Sequence, residues 1–256
     1  MDDLKRLTPM MLIALAGMAM LVHGPIPQAR QYHEFADTRT LWGIANAGNV
    51  LSNIAFALAG MWGLAVISRA DRREGLPRLL PSLAIFALAL VLTAFGSGYY
   101  HLAPENDRLV WDRVPIALAC GALLASAYIR THETTLTLTL PLALSIFGVA
   151  TVFWWSLTEA RGVGDLRPYI LMQGAPLLLV PLWQWLARSP RHERIDFGIA
   201  ALLYVLAKLA ELGDRAIFEA LGVVSGHTLK HLLAAAASVF IVRSLCYTGD
   251  RPHVPA

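Results

Sequence analysis

Eight apolar stretches, divided by short segments that hold most of the charge, proline and glycine, dominate this 256-residue chain. They run roughly over Thr8–Val22, Ile44–Ile67, Leu80–Tyr100, Val114–Tyr128, Leu136–Leu157, Tyr169–Leu186, Ile195–Leu212 and Thr228–Leu245. A helix needs about 20 apolar residues to cross the hydrocarbon of a bilayer, and several of these runs come close. Hydrophobic residues make up 56% of the chain and charged residues only 15%, where a soluble domain carries roughly 25% charged. The fold expected is therefore all-α, a polytopic membrane protein in a single integral domain over 1–256. The clearest loops are Arg69–Gly75 and Arg188–Arg194. No repeat or low-complexity tract interrupts the pattern.

The first stretch has two readings. Lys5 and Arg6 ahead of an apolar run resemble a signal peptide, but cleavage after Ala29 would put Pro27 where a small residue is wanted, so a retained helix is expected. Arg and Lys placement gives an orientation. With the N-terminus inside, twelve of the 21 basic residues fall on inner segments (Lys5, Arg6, Arg69, Arg72, Arg73, Arg78, Arg130, Arg188, Arg191, Arg194, Arg243, Arg251). Seven fall on outer loops (Arg30, Arg39, Arg108, Arg113, Arg161, Arg167, Arg215). The excess places both termini in the cytoplasm. The net charge of +3 comes without the dense basic run and interleaved aromatics of a nucleic-acid surface, so nucleic acid is not an expected partner. Cys120 and Cys246 have no disulfide or C-x-x-C spacing and read as small buried hydrophobes.

Ionisable groups in an apolar setting are costly, so those that remain are functional candidates. Ser97-x3-His101 closes the third stretch, Asp112 opens the fourth, and His227-x3-His231 opens the eighth. The orientation above puts all of them at one membrane level, on the outer side. Two His four apart share one helix face, and three imidazoles leave a fourth tetrahedral position for water, the catalytic arrangement for zinc. His-x3-His alone is weak, and the Glu of a metalloprotease motif is missing. Asp112 reads equally as a helix N-cap, with Pro115 in the first turn, or as a general base beside a metal. Ser97 reads as a small packing residue or as a hydrogen-bond donor to an oxyanion. Asn49, Ser52 and Asn53 share a face and bridge helices in the blander reading. Lys208 and Glu211 are spaced to pair. Asp214, level with the triad, reads as a contact to substrate or to a ligand imidazole. Tyr32–Asp37 reads as a solvated outer loop, with a lid or cation site as the alternative.

In these fragments the chain resembles the alkaline ceramidases, within the seven-helix membrane hydrolases that include adiponectin receptors. The similarity spans His33 to Leu245. It rests on Asn49-Val50-Leu51-Ser52-Asn53, Ser97-Gly98-Tyr99-Tyr100-His101, Asp112-Arg113-Val114-Pro115, Asp214-Arg215-Ala216-Ile217-Phe218 and His227-Thr228-Leu229-Lys230-His231, in order and spacing. The resemblance implies a seven-helix core over 33–246; the extra helix within 1–30, which makes about eight spans in all, is a departure from the family. It implies catalytic zinc on His101, His227 and His231, with Asp112 and Ser97 near the bound water. Asp214, Asn49 and Asn53 would stand behind them or against substrate. The activity implied is hydrolysis of the amide of ceramide-like lipids drawn from the bilayer, giving a sphingoid base and a fatty acid. The chain departs from the family in its calcium-binding segment. Of that acidic segment only Glu34 and Asp37 remain, and Asn46 stands where the family has Glu, so calcium is not expected with the same force as zinc. A receptor with a structural zinc, or a transporter, would be the other classes such a chain could serve.

Overall fold

A computed structural model describes residues 2–69, 76–132 and 134–246, with side chains from Leu7 onward. The expected inner loop from Ala70 to Gly75 and the inner Arg72, Arg73 and Arg251 lie outside the described residues, as do the side chains of Lys5 and Arg6. Each apolar stretch is a helix. They are α1 (Asp2–His23), α2 and α3 (Ala47–Leu51 and Ile54–Ser68), α4 (Leu80–Leu102), α5 (Asn106–Thr131), α6 (Thr139–Ala160), α7 (Arg167–Leu186), α8 (Arg191–Leu212) and α10 (Gly226–Cys246). Two elements were not expected: a 3-10 turn at Arg30–His33 and the short α9 at Asp214–Leu221. Among the described residues five helical segments, 47–68, 80–102, 106–131, 139–160 and 226–246, are long and apolar enough to cross a membrane. This is the build of a helical membrane protein.

The second span opens differently from the even apolar run in the sequence. Asn46 adopts a left-handed conformation (φ 50°), which its short polar side chain tolerates better than most, and the helix begins only after it. Turn geometry at Ser52 and Asn53 then separates α2 from α3.

Long apolar side chains point outward. Phe95, Ile146, Trp185 and Leu202 are each more than half exposed. In water such a surface is an aggregation hazard; in lipid it is the solvated face. Small residues work at the helix contacts. A Cβ on Gly96 would lie 2.1 Å from the carbonyl oxygen of Trp111, and one on Gly226 would lie 2.1 Å from that of Ala210. Only glycine allows α4 to meet α5, and α10 to meet α8, this closely. Pro115 contributes as well. It lies inside α5 and supplies no N–H to the Trp111 carbonyl, and that carbonyl is the one pressed against Gly96.

Two expectations for this region are corrected. Asp112 is not an N-cap: α5 starts at Asn106, so Asp112 sits in its second turn and Pro115 in its interior. Arg113 is not an outer-loop arginine: it is a buried residue of α5. The apolar run appeared to begin at Val114 because two charged residues precede it. Leu109 and Val110 are buried beside them, so the helical face that points inward starts a full turn earlier.

Candidate metal centre

His101 ends α4, and His227 and His231 sit one turn apart at the start of α10. Their ligand nitrogens lie within 4.8 Å of one another, and the residues are 1%, 4% and 4% exposed. Among the described residues they are the set of His, Cys, Asp and Glu side chains whose donor atoms converge in this way.

Several contacts hold α10 in place. Ser225 Oγ accepts the backbone N–H of Thr228 at 3.1 Å, a helix N-cap. Asn49 Oδ1 accepts the hydroxyls of Thr228 (3.1 Å) and Ser225 (3.3 Å), tying α2 to α10. Asp214 Oδ1 accepts the backbone N–H of His227 at 2.7 Å, while its Oδ2 accepts that of Ala36 at 2.8 Å. Asp214 thus contacts a ligand residue through its backbone, not through its imidazole. Asn53 Nδ2 donates to the Asn49 carbonyl at 2.8 Å. Asn49 and Asn53 are therefore framework residues of the centre.

Ser52 is the partner that the sequence left unassigned. Its Oγ lies 2.8 Å from His231 Nδ1 and 3.1 Å from the Asn49 carbonyl oxygen. A hydroxyl has one proton and the carbonyl can only accept. The consistent arrangement is His231 Nδ1–H to Ser52 Oγ, and Ser52 O–H to Asn49 O. That tautomer leaves Nε2 as the bare nitrogen of the ring, as a metal ligand requires. Meanwhile His101 Nδ1 and His227 Nε2 are buried without a hydrogen-bond partner. Buried polar atoms are rarely left unpaired, and two orphaned imidazole nitrogens beside a third that is oriented by a hydroxyl fit a divalent metal.

The Tyr32–Asp37 segment corrects the solvated-loop reading. Phe35 is buried, its ring 4.7 Å from that of His101 and 4.5 Å from that of His227. His33 sits between the Tyr100 hydroxyl (2.9 Å) and Asn106 Oδ1 (3.0 Å). The segment covers the triad. Asp37 anchors it by accepting three hydrogen bonds from Arg39, one from its backbone N–H and two from its guanidinium, which also donates to the carbonyls of Gly222 and Val223. The guanidinium holds the Asp37 carboxyl below its usual range. The three residues considered for calcium have separate positions: Glu34 is exposed, Asp37 is engaged by Arg39, and Asn46 donates its amide to the His101 carbonyl at 2.8 Å.

A cavity of about 320 Å³ lies beside the triad. Ser97, Asp112 and His231 share its wall, with apolar residues such as Phe86, Leu123 and Phe197 deeper in. Asp112 is buried, and the Ser97 hydroxyl interacts with its carboxylate. Lys208 pairs with Glu211 as expected from their spacing, and Lys230 joins them on the other carboxylate oxygen.

Neither models of known protein families nor curated proteins match this chain.

Proposed function

We propose that this protein is a metal-dependent membrane hydrolase acting on the amide of ceramide-like lipids. The observation that carries the reading is the buried triad of His101, His227 and His231, set beside a largely apolar cavity that Ser97, Asp112 and His231 line together. The three imidazoles would hold the metal, zinc by the family resemblance; bound there, it would supply Lewis acidity toward a carbonyl oxygen and toward water.

The chain's own groups carry the remaining roles. Asp112 takes a proton from the attacking water at one carboxylate oxygen and later returns it to the leaving amine. The Ser97 hydroxyl orients that carboxylate by donating its one proton to it, and once Asp112 is protonated the same O–H turns to the oxyanion that develops on the scissile carbonyl. The Ser52–His231 pair keeps one ligand nitrogen free. Phe86, Leu123 and Phe197 receive the acyl chain and exclude water. In this reading the core is the seven-helix hydrolase type with α1 added, about eight spans, both termini cytoplasmic and the site near the outer face.

The test is elemental analysis of purified wild type beside His227→Ala/His231→Ala, with fatty acid release from ceramide assayed on the same samples. About one zinc per chain, lost together with activity, supports the reading. Well-folded wild type without metal removes it. One observation favours a second reading. His101 and His227 stand behind the cavity wall, as a structural metal in a lipid receptor would. Ligand binding without turnover, and melting on metal removal, would select that alternative.

A further inference from the structure

Arg113 is 5% exposed, its guanidinium enclosed beside the cavity. Its Nη2 donates to the neutral Gln28 Oε1, its Nη1 is buried with no partner, and it forms no ion pair among the described residues. Three aromatic rings surround it: Trp155 at 4.1 Å, Tyr169 at 5.2 Å and Tyr32 at 5.5 Å. Trp155 is 0% exposed, and its Nε1 is a second buried donor without a partner. Aromatic faces hold a guanidinium but do not satisfy its N–H groups, and a buried cation left without an anion is destabilising. Arg113, Tyr32 and Tyr169 line the same cavity as Asp112 and His231, and Lys208 and Lys230 line it too. Three cations against the carboxylates of Asp112 and Glu211 leave the region positive.

We propose that Arg113 is an anion-binding residue of the cavity, and that the lipid amide carries a carboxylate on its amine side, as an N-acyl amino acid does. This rests on the metal-dependent amide-hydrolase reading above and names a substrate class beside ceramide, whose amine side carries no carboxylate. Asp112 and Arg113 both line the cavity, so a head group held by Arg113 keeps the scissile amide within the space that the proton-transferring carboxylate faces. The acyl chain then points toward Phe86 and Phe197.

The test titrates N-oleoylglycine and N-oleoylethanolamine into the full chain, as purified in an uncharged detergent. These probes differ only in carboxylate against hydroxymethyl. Free oleate is a third ligand, and fatty acid release is assayed on the same samples. Hydrogen bonds to charged groups predict that wild type binds the carboxylate probe on the order of 10- to 100-fold more tightly than the neutral one. Arg113→Gln should abolish that preference and Arg113→Lys should keep part of it. Equal binding of the two probes by wild type overturns the proposal, as does a preference unchanged in Arg113→Gln. Oleate binding as tightly as N-oleoylglycine overturns the assignment to the amine side. If Arg113→Gln does not fold, Arg113→Lys decides: a carboxylate preference equal to that of wild type overturns the assignment to Arg113. A carboxylate preference without fatty acid release leaves the anion site standing and overturns the hydrolase reading; release without preference does the reverse.

Discussion

Ser52→Ala isolates one hydrogen bond behind the proposed metal centre. The residue touches no substrate, and the change removes only the oxygen 2.8 Å from His231 Nδ1. Both side chains are buried, so water cannot readily take the vacated place. Two costs follow. The Nδ1–H loses its acceptor, and leaving a buried donor unmet costs about 1–3 kcal/mol. The ring also loses what selected its tautomer, so the state with a proton on Nε2 competes with metal binding. Removing such an outer partner of a ligand His lowers metal affinity by roughly 10- to 100-fold. The assay is competition for zinc against a chelator of known strength, in detergent, with helicity followed by circular dichroism. Wild type and Ser52→Ala should show the same helicity and differ by that factor. An affinity within threefold of wild type, in folded protein, would refute the argument that Ser52 sets the tautomer.

Phe35→Ala removes the ring packed at a tilt against His101 and His227; it should lower stability by about 3 kcal/mol and speed metal loss to chelator, read by melting and by release kinetics. Gly226→Ala places a methyl 2.1 Å from the Ala210 carbonyl and should push the start of α10 from α8, lowering both melting temperature and zinc content. Asp112→Asn should cost on the order of 100-fold or more in hydrolysis while zinc content stays at the wild-type level; loss of metal in that variant would assign Asp112 to the ligand set instead. The Arg167 guanidinium holds the Asp165 carboxyl down to about 2, below its unfolded value, so this pair stabilises the fold fully above about pH 4 and the contribution is lost as pH falls toward 2. Asp165→Asn should therefore melt lower at neutral pH and change less between pH 4 and 2.

The spans and the triad were legible because both rest on local periodicity. An apolar run of helical length reads directly, and His227 and His231 at four-residue spacing declare a shared face. His101 could be added because orientation alone put it at the same level. Legibility ended where a residue's role depends on distant packing. Arg113 looked like a loop arginine, since sequence does not tell a solvated cation from one enclosed by Trp155, Tyr169 and Tyr32. The start of α5 was misplaced for the same reason. Phe35 lies in an irregular segment without any period, so nothing local distinguished a buried lid from a solvated loop. Ser52 was visible as a member of the Asn49, Ser52, Asn53 face, but its match to one imidazole nitrogen came only from the meeting of α2 with α10.

These contacts also explain why the centre can be rigid inside a bundle held together largely by apolar packing. The start of α10 is fixed by contacts of different kinds from different parts of the chain: the cap from Ser225, the Asn49 bridge, the Asp214 carboxylate, the Ser52 hydroxyl on His231 and the Gly226 approach to Ala210. Apart from Asp214, the fixing groups are neutral, so they do not oppose the charge of a bound cation. Asp214 spends both oxygens on backbone N–H groups and so joins the cover at Ala36 to α10 at His227. Geometry imposed before binding reduces the ordering that binding would otherwise require. Asp214→Asn keeps the shape but can present only one accepting oxygen, so the cover and the ligand helix are no longer tied by the same carboxylate. That variant should retain its helicity and lose metal faster, while mutation of the exposed Glu34 should leave the release rate unchanged. Equal release rates for Asp214→Asn and wild type would show that the cover and the triad are independent.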